Sequence, residues 1–262
     1  MKNFHSLSPG RTGFYHDASA DHHAPVAVSA CLAGEPVRYD GRDRRHPAID
    51  TALRQALQLI PVCPEVGAGL GVPRPPVQLV RFDGDDSPAP RAVGRDDPAL
   101  DVSDDLRRYA LGSLRQLRGG HPLCGYLWKS RSPSCGLNST PVFSQAGEQI
   151  GVGSGIQAQL FQRHLPWLAH CEESLLQTEA DAHVFIWRCR LVFDVMYAGQ
   201  VQLADLDRHY RRQLPELFAR LPASSRSLLD TAVASQRPRR YLAILHSALG
   251  NARGRLPPDL FG

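Results

Sequence analysis

The sequence has few of the features that mark exported, membrane or zinc-binding proteins. It contains no run of about 18 apolar residues, so we expect no transmembrane helix and no membrane partner. Met1–Pro25 lacks the apolar core of a signal peptide. We therefore predict a cytoplasmic protein whose six cysteines are reduced rather than paired in disulfides. No two cysteines are spaced as CxxC, which argues against a zinc finger or ribbon.

Lysine is almost absent, and arginine carries nearly all of the basic charge. The net charge is +4, and residues 181–262 contain 12 Arg against 7 acidic residues, an excess of +5. Arginine makes bidentate contacts with phosphate, so this region is a candidate for RNA binding. A charge of +5 is modest for a nucleic-acid surface, so we favour a solvated helical surface as its explanation.

Apolar periodicity predicts a layered α/β domain over residues 25–175. Short apolar segments read as strands and alternate with segments that read as helices, the order expected for a sheet covered by helices. We predict strands at 24–30, 59–62, 77–82 and 122–127 and a strand-like piece from Gln149, with helices at 50–59, 97–118 and from Ile156.

The two ends of the chain have a different character. Residues 1–24 are polar and dotted with histidine, and we expect a flexible leader there. Residues 181–262 form a predicted smaller all-helical domain, with helices over Val184–Tyr197, Leu203–Leu221, Ser224–Ala234 and Pro238–Leu249.

Three cysteines share the same local context. Cys31, Cys63 and Cys135 each follow a short apolar segment and lie in a turn that contains Gly or Pro. Neighbouring strand ends meet at one edge of a sheet, so the three thiols could converge and leave one coordination position open on a metal or cluster. The alternative is that each packs as a small buried hydrophobe, which is also our prediction for Cys124, Cys171 and Cys189.

Other polar groups near these cysteines have both a functional and a structural interpretation. Glu65, two positions after Cys63, could shuttle protons or be an ordinary surface carboxylate. A hydroxyl of Ser132 or Ser134 could bind substrate or complete a turn. Lys129 and Arg131 could hold an anion or be solvated. The glycines of the run Gly151–Gly155 could cradle phosphate or allow close helix packing.

Three ordered motifs resemble the TudS-type thiouracil desulfidases. They are Ser29–Gly34 with Val37–Gly41, Pro61–Glu65 with Gly69–Arg74, and Lys129–Gly136. The resemblance implies a 4Fe-4S cluster held by Cys31, Cys63 and Cys135, with catalytic roles for Glu65 and Ser132. Some members of this family have a helical C-terminal domain and act on thiolated uridine in tRNA, but the motifs of that domain are not recognisable in this chain.

The resulting hypothesis is an iron-sulfur-dependent, non-redox desulfuration of thiolated pyrimidines that releases sulfide. Thiouracil, thiouridine and thiouridine in tRNA all stay open as substrates, and the oligomeric state is not determined by the sequence. One alternative is a non-catalytic RNA-binding or cluster-carrier protein, which would bind RNA with strong salt dependence and release no sulfide. Another is a hydrolase with a cysteine nucleophile, which would need one cysteine and no iron.

Overall fold

The computed structural model describes residues 23–83, 89–118, 122–197 and 202–251. We predicted a flexible leader over residues 1–24, and residues 1–22 of it lie outside the described part of the chain. The strands in chain order are β1 (Ala24–Ser29), β2 (Leu57–Val62), β3 (Val77–Arg81), β4 (Arg91–Gly94), β5 (Gly125–Trp128), β6 (Thr140–Ser144), β7 (Gln149–Gly153) and β8 (Ala169–Glu172). The helices are α1 (Arg54–Ala56), α2 (Pro64–Gly67), α3 (Ser103–Arg118), α4 (Ile156–His164), α5 (Glu179–Tyr197), α6 (Leu203–Gln213), α7 (Pro215–Arg220), α8 (Ala223–Ala234) and α9 (Pro238–Asn251).

The first sheet has the strand order β2-β1-β5-β8, and every neighbouring pair is parallel. β1 and β5 lie in the centre, and all of their residues are buried, which explains their nearly continuous apolar composition. Because the strands are parallel, their carboxyl ends all reach the same edge of the sheet. The segments that follow β1, β2, β5 and β8 therefore begin side by side.

The second sheet has the order β4-β3-β6-β7 and is mixed. β3 pairs antiparallel with β4 and parallel with β6, and β6 pairs antiparallel with β7. A small core of buried residues from β3, β4, β6 and the start of α3 and α4 lies beneath this sheet, formed by Leu79, Ala92, Val102, Leu106, Val142 and Ile156.

The C-terminal helices share the main hydrophobic core with the first sheet. α5 packs against β1, β5 and β8, and α9 packs against α5 and α8. At Gly125 in β5, an added Cβ would lie 2.5 Å from the sulfur of Cys189 in α5, so the glycine permits this close approach. No helix in the described ranges is long and apolar enough to cross a membrane.

The predicted fold class, an α/β domain followed by a smaller helical region, is confirmed. The predicted helix over 50–59 is wrong at its end, because Leu57 already begins β2 and pairs with Ala24. The helix predicted over 203–221 is interrupted at Leu214, since Pro215 has no N–H to continue the ladder. The helix predicted from residue 97 begins at Ser103, because Asp101 instead bridges to Val93. Three strands were missed: β4, β6 and β8.

Candidate active site

A cavity of about 320 Å³ opens where the ends of β1, β2 and β5 meet. Cys31 lies in the turn after β1, Cys63 immediately precedes α2, and Cys135 lies in the loop after β5. All three line this cavity, together with Glu65 and Ser132. The structure therefore brings together the five residues to which the family resemblance gives a role, although Cys31 and Cys135 are 104 positions apart in the sequence.

The three cysteines are free thiols in an environment that disfavours their charged form. Burial and, to a smaller extent, the neighbouring Cys63 together raise the pKa of Cys31 to about 11. Burial also raises the pKa of Cys63 and, strongly, that of Cys135. A cation would have to compensate for this burial before the thiols could serve as thiolates.

The other three cysteines lie away from the cavity. Cys124, Cys171 and Cys189 are at most 4% exposed and belong to the hydrophobic core, which confirms the prediction that they are packing residues. In the part of the chain that the structure describes, no group of three or more His, Cys, Asp or Glu side chains is arranged to hold a metal ion.

Glu65 is held by two partners, one at each carboxylate oxygen. Its Oε2 accepts from Arg74 at 2.7 Å for Nε and 2.5 Å for Nη2, and its Oε1 accepts from the hydroxyl of Ser134 at 2.8 Å. The side chains of Arg74 and Glu65 are only 5% and 13% exposed. Glu65 is thus an oriented carboxylate in the wall of the cavity rather than a solvated surface group.

Arg74 also connects the first two motifs. Its Nη1 donates to the carbonyl oxygens of Val37 at 3.0 Å and Gly71 at 2.9 Å. The thiol of Cys63 points at the same Val37 carbonyl, with a sulfur-to-oxygen distance of 3.9 Å. One buried guanidinium therefore fixes the loop after β1 relative to the carboxylate after β2.

The hydroxyl oxygen of Ser132 has a structural role, but its proton is not used in that role. Its oxygen accepts from the backbone N–H groups of Ser134 at 3.3 Å and Cys135 at 3.1 Å, which closes the turn that presents Cys135. The hydroxyl proton of Ser132 has no acceptor among the described residues, so it can be donated into the cavity. Ser134 is fully buried and contacts Glu65 instead.

Lys129 is fully engaged within the protein. Its Nζ lies 2.5 Å from Glu173 and also donates to the carbonyl and hydroxyl oxygens of Ser130, both at 3.1 Å. An ammonium has three protons, so Lys129 has none left for an anion.

Four arginines that line the cavity form no ion pair with any described residue: Arg38, Arg44, Arg95 and Arg131. Arg44, Arg95 and Arg131 are exposed at the surface. The only carboxylate that lines the cavity among the described residues, Glu65, is already paired with Arg74. The walls therefore carry a positive excess that favours an anionic ligand.

The glycine run before α4 packs against the loop that presents Cys135. An added Cβ at Gly155 would lie 2.5 Å from the backbone carbon of Ser134 and 2.7 Å from the nitrogen of Cys135. The first N–H groups of α4 donate to the carbonyl oxygens of Pro133 and Ser134, both at 3.0 Å. These donors are therefore already used, which favours close packing over a phosphate cradle at this helix terminus.

Sequence reasoning missed Arg74 as a partner of Glu65, and it missed Glu172 and Glu173 entirely. Arg74 lies within the second motif, nine positions after Glu65, but nothing in that spacing indicates an ion pair. Glu172 and Glu173 are only 5% and 9% exposed, and no local pattern distinguishes a buried glutamate from a solvated one.

A family model described as 2-thiouracil desulfurase matches residues 26–173. A solved structure, that of the [4Fe-4S]-dependent thiouracil desulfidase TudS, is similar to this chain with 32% sequence identity and a TM-score of 0.40. The similarity covers 53% of this chain and 85% of that chain. No curated protein matches the sequence. Because the family match spans more than half of the 262 residues and includes all three cysteine motifs, the chain belongs to the 2-thiouracil desulfurase family.

Proposed function

We propose that this chain is an iron-sulfur-dependent desulfidase that removes sulfur from thiolated pyrimidines. The observation that carries the proposal is the presence of three cysteines and one oriented glutamate on the same cavity. The reaction is a hydrolysis: water adds to the thiocarbonyl carbon, the carbon–sulfur bond breaks and sulfide leaves, so no net electron transfer is needed.

Three cysteine thiols on one cavity are the donor set of a 4Fe-4S cluster, which is larger than the single metal ion that no described group of three such side chains is arranged to hold. Cys31, Cys63 and Cys135 would hold three of the irons, and the fourth would have no protein ligand. Burial raises the pKa values of these thiols and disfavours an unpaired thiolate, and the iron would supply the compensating positive charge. When bound, the cluster supplies a Lewis acid for the sulfur of the substrate.

Glu65 and Ser132 would act on the water and on the pyrimidine. Oε1 of Glu65 accepts one hydrogen bond, from Ser134, so a second lone pair is available to orient water and take its proton. The hydroxyl of Ser132 would donate a hydrogen bond to a ring acceptor of the pyrimidine and so orient the base. Arg74 would hold the carboxylate in place during this transfer.

The positive excess in the cavity favours a thiolated substrate that carries phosphate. Thiouridine nucleotides and thiouridine within tRNA both meet this requirement, whereas free thiouracil does not. Arg38, Arg44, Arg95 and Arg131 are the candidate phosphate contacts. We assign these steps to a desulfidase domain at residues 25–175, and the Arg-rich helical region at 181–262 is a second candidate surface for RNA.

The experiment is anaerobic reconstitution followed by iron and sulfide assays. We expect about four irons per chain, with lower iron when Cys31, Cys63 or Cys135 is changed to Ser and no change for Cys124→Ser, because Cys124 lies in the core. Glu65→Gln should keep the iron and lose sulfide release. The control is Glu35→Gln, which changes an exposed carboxylate.

The outcomes separate the proposal from its alternatives. Iron binding without sulfide release from any thiopyrimidine would favour the cluster-carrier alternative. Full activity without iron, dependent on a single cysteine, would favour the cysteine-nucleophile hydrolase. Full activity of Glu65→Gln would remove the role assigned to Glu65. Assays with thiouracil, thiouridine, its 5′-monophosphate and thiolated tRNA would then rank the substrates.

A further inference from the structure

Two adjacent buried glutamates at the end of β8 hold both ends of the loop that carries Ser132 and Cys135. We propose that Glu172 and Glu173 are positioning residues that keep this loop, residues 129–139, in the geometry the cluster and substrate require. This inference rests on the proposed function, and it adds two residues that act through the loop and that lie outside the cavity lining.

The pairing of β5 with β8 explains why these glutamates lie beside the loop. Trp128, the last residue of β5, is in register with Glu172 in the neighbouring parallel strand. The loop leaves β5 at the point where β8 ends. Residues 129–130 and 173 therefore follow the same edge of the sheet, although they are more than 40 positions apart.

Glu173 holds the start of the loop through three contacts. Its Oε1 lies 2.5 Å from Nζ of Lys129 and 2.7 Å from the hydroxyl of Ser130. Its Oε2 accepts from the backbone N–H of Ser130 at 2.6 Å. Ser130 is two positions before Ser132, so this carboxylate fixes the backbone immediately ahead of the hydroxyl proposed to orient the substrate.

Glu172 holds the end of the same loop. Its Oε1 accepts from the backbone N–H of Leu137 at 2.6 Å and from the hydroxyl of Ser139, and its Oε2 lies 3.4 Å from the hydroxyl of Ser174. Leu137 is two positions after Cys135. The two glutamates thus hold the backbone two positions before Ser132 and two positions after Cys135.

The burial of these carboxylates supports a positioning role. A buried carboxylate is costly unless donors surround it, and here most of the donors come from the 129–139 loop. Glu172 forms no ion pair with a described residue, so neutral donors alone hold it. Replacing either glutamate by Gln removes the charge, puts an NH₂ group opposite a donor and releases one end of the loop.

The test measures how fast the reconstituted protein loses iron to a chelator. We expect Glu172→Gln and Glu173→Gln to release iron at least about tenfold faster than wild type, because groups that orient metal ligands typically change metal affinity by this factor or more. Glu148→Gln, an exposed carboxylate in the turn between β6 and β7, is the matched control and should behave as wild type. The thermal unfolding midpoint of each unloaded variant is measured alongside.

Each outcome decides the inference. Fast iron release by a glutamate variant, with a control-like unfolding midpoint, supports the positioning role. If both variants release iron at the wild-type rate, the positioning role is overturned, even if their thermal unfolding midpoints fall. A lower midpoint alone would show only that the glutamates stabilise the fold. If a glutamate variant does not fold, Ser130→Ala or Ser139→Ala removes one contact with the same carboxylate and is judged by the same criterion. Failure of the wild type itself to bind iron would refute the proposed function instead.

Discussion

Arg74→Met should destabilise the chain strongly, because it leaves Glu65 buried without its cation. Three nitrogens of Arg74 make four close contacts, two with Oε2 of Glu65 and one each with the carbonyl oxygens of Val37 and Gly71. The two side chains are 5% and 13% exposed, so water cannot replace these contacts without rearrangement.

The expected magnitude follows from this burial. Removing one partner of a buried ion pair costs about 3–5 kcal/mol in the free energy of unfolding, since the remaining charge is uncompensated. An exposed pair contributes only about 0–1 kcal/mol. Arg220→Met is the matched control, because Arg220 pairs with Glu216 on the surface of α7 at side-chain exposures of 55% and 63%.

Denaturant unfolding of the unloaded wild type, Arg74→Met and Arg220→Met measures the difference. The double variant Glu65→Gln with Arg74→Met should recover part of the loss, because it no longer buries an unpaired carboxylate. A loss within about 1 kcal/mol for Arg74→Met, equal to that of Arg220→Met, would refute the argument that burial makes this ion pair structurally important.

Two further predictions concern the loop and the thiols. Gly155→Ala should lower the free energy of unfolding by about 1–3 kcal/mol through overpacking. Gly151→Ala is the control and should not lower it, because no atom lies within 4 Å of an added Cβ. Equal stability of the two variants would contradict the close approach of Gly155 to the loop that presents Cys135. In the unloaded chain, alkylation of Cys31 followed by mass spectrometry should accelerate about tenfold per pH unit from 7 to 10, because burial raises its pKa to about 11. A rate that levels off between about pH 9 and 10 would instead show an ordinary thiol pKa.

Local patterns were sufficient to predict the parts of the fold that depend on local physics. The alternation of apolar residues located β1 and β3 to within one residue at each end, and helical spacing located α8 and α9 within two. β4, β6 and β8 were missed because their stability comes from partners far along the chain: β8, for example, forms by pairing with β5. The helix predicted through Leu57 failed for the same reason, since pairing with β1 overrides helical spacing.

The sequence by itself determined the fold class and the motifs that carry Cys31, Cys63, Cys135 and Glu65. These depend on residue type, periodicity and order, which are all local properties. Only the tertiary structure decided what surrounds them: that Arg74 and Ser134 hold Glu65, and that two glutamates at the end of β8 secure the loop of Cys135. The physical reason is that parallel strands bring their ends together across long stretches of chain, and burial then selects which polar groups must pair.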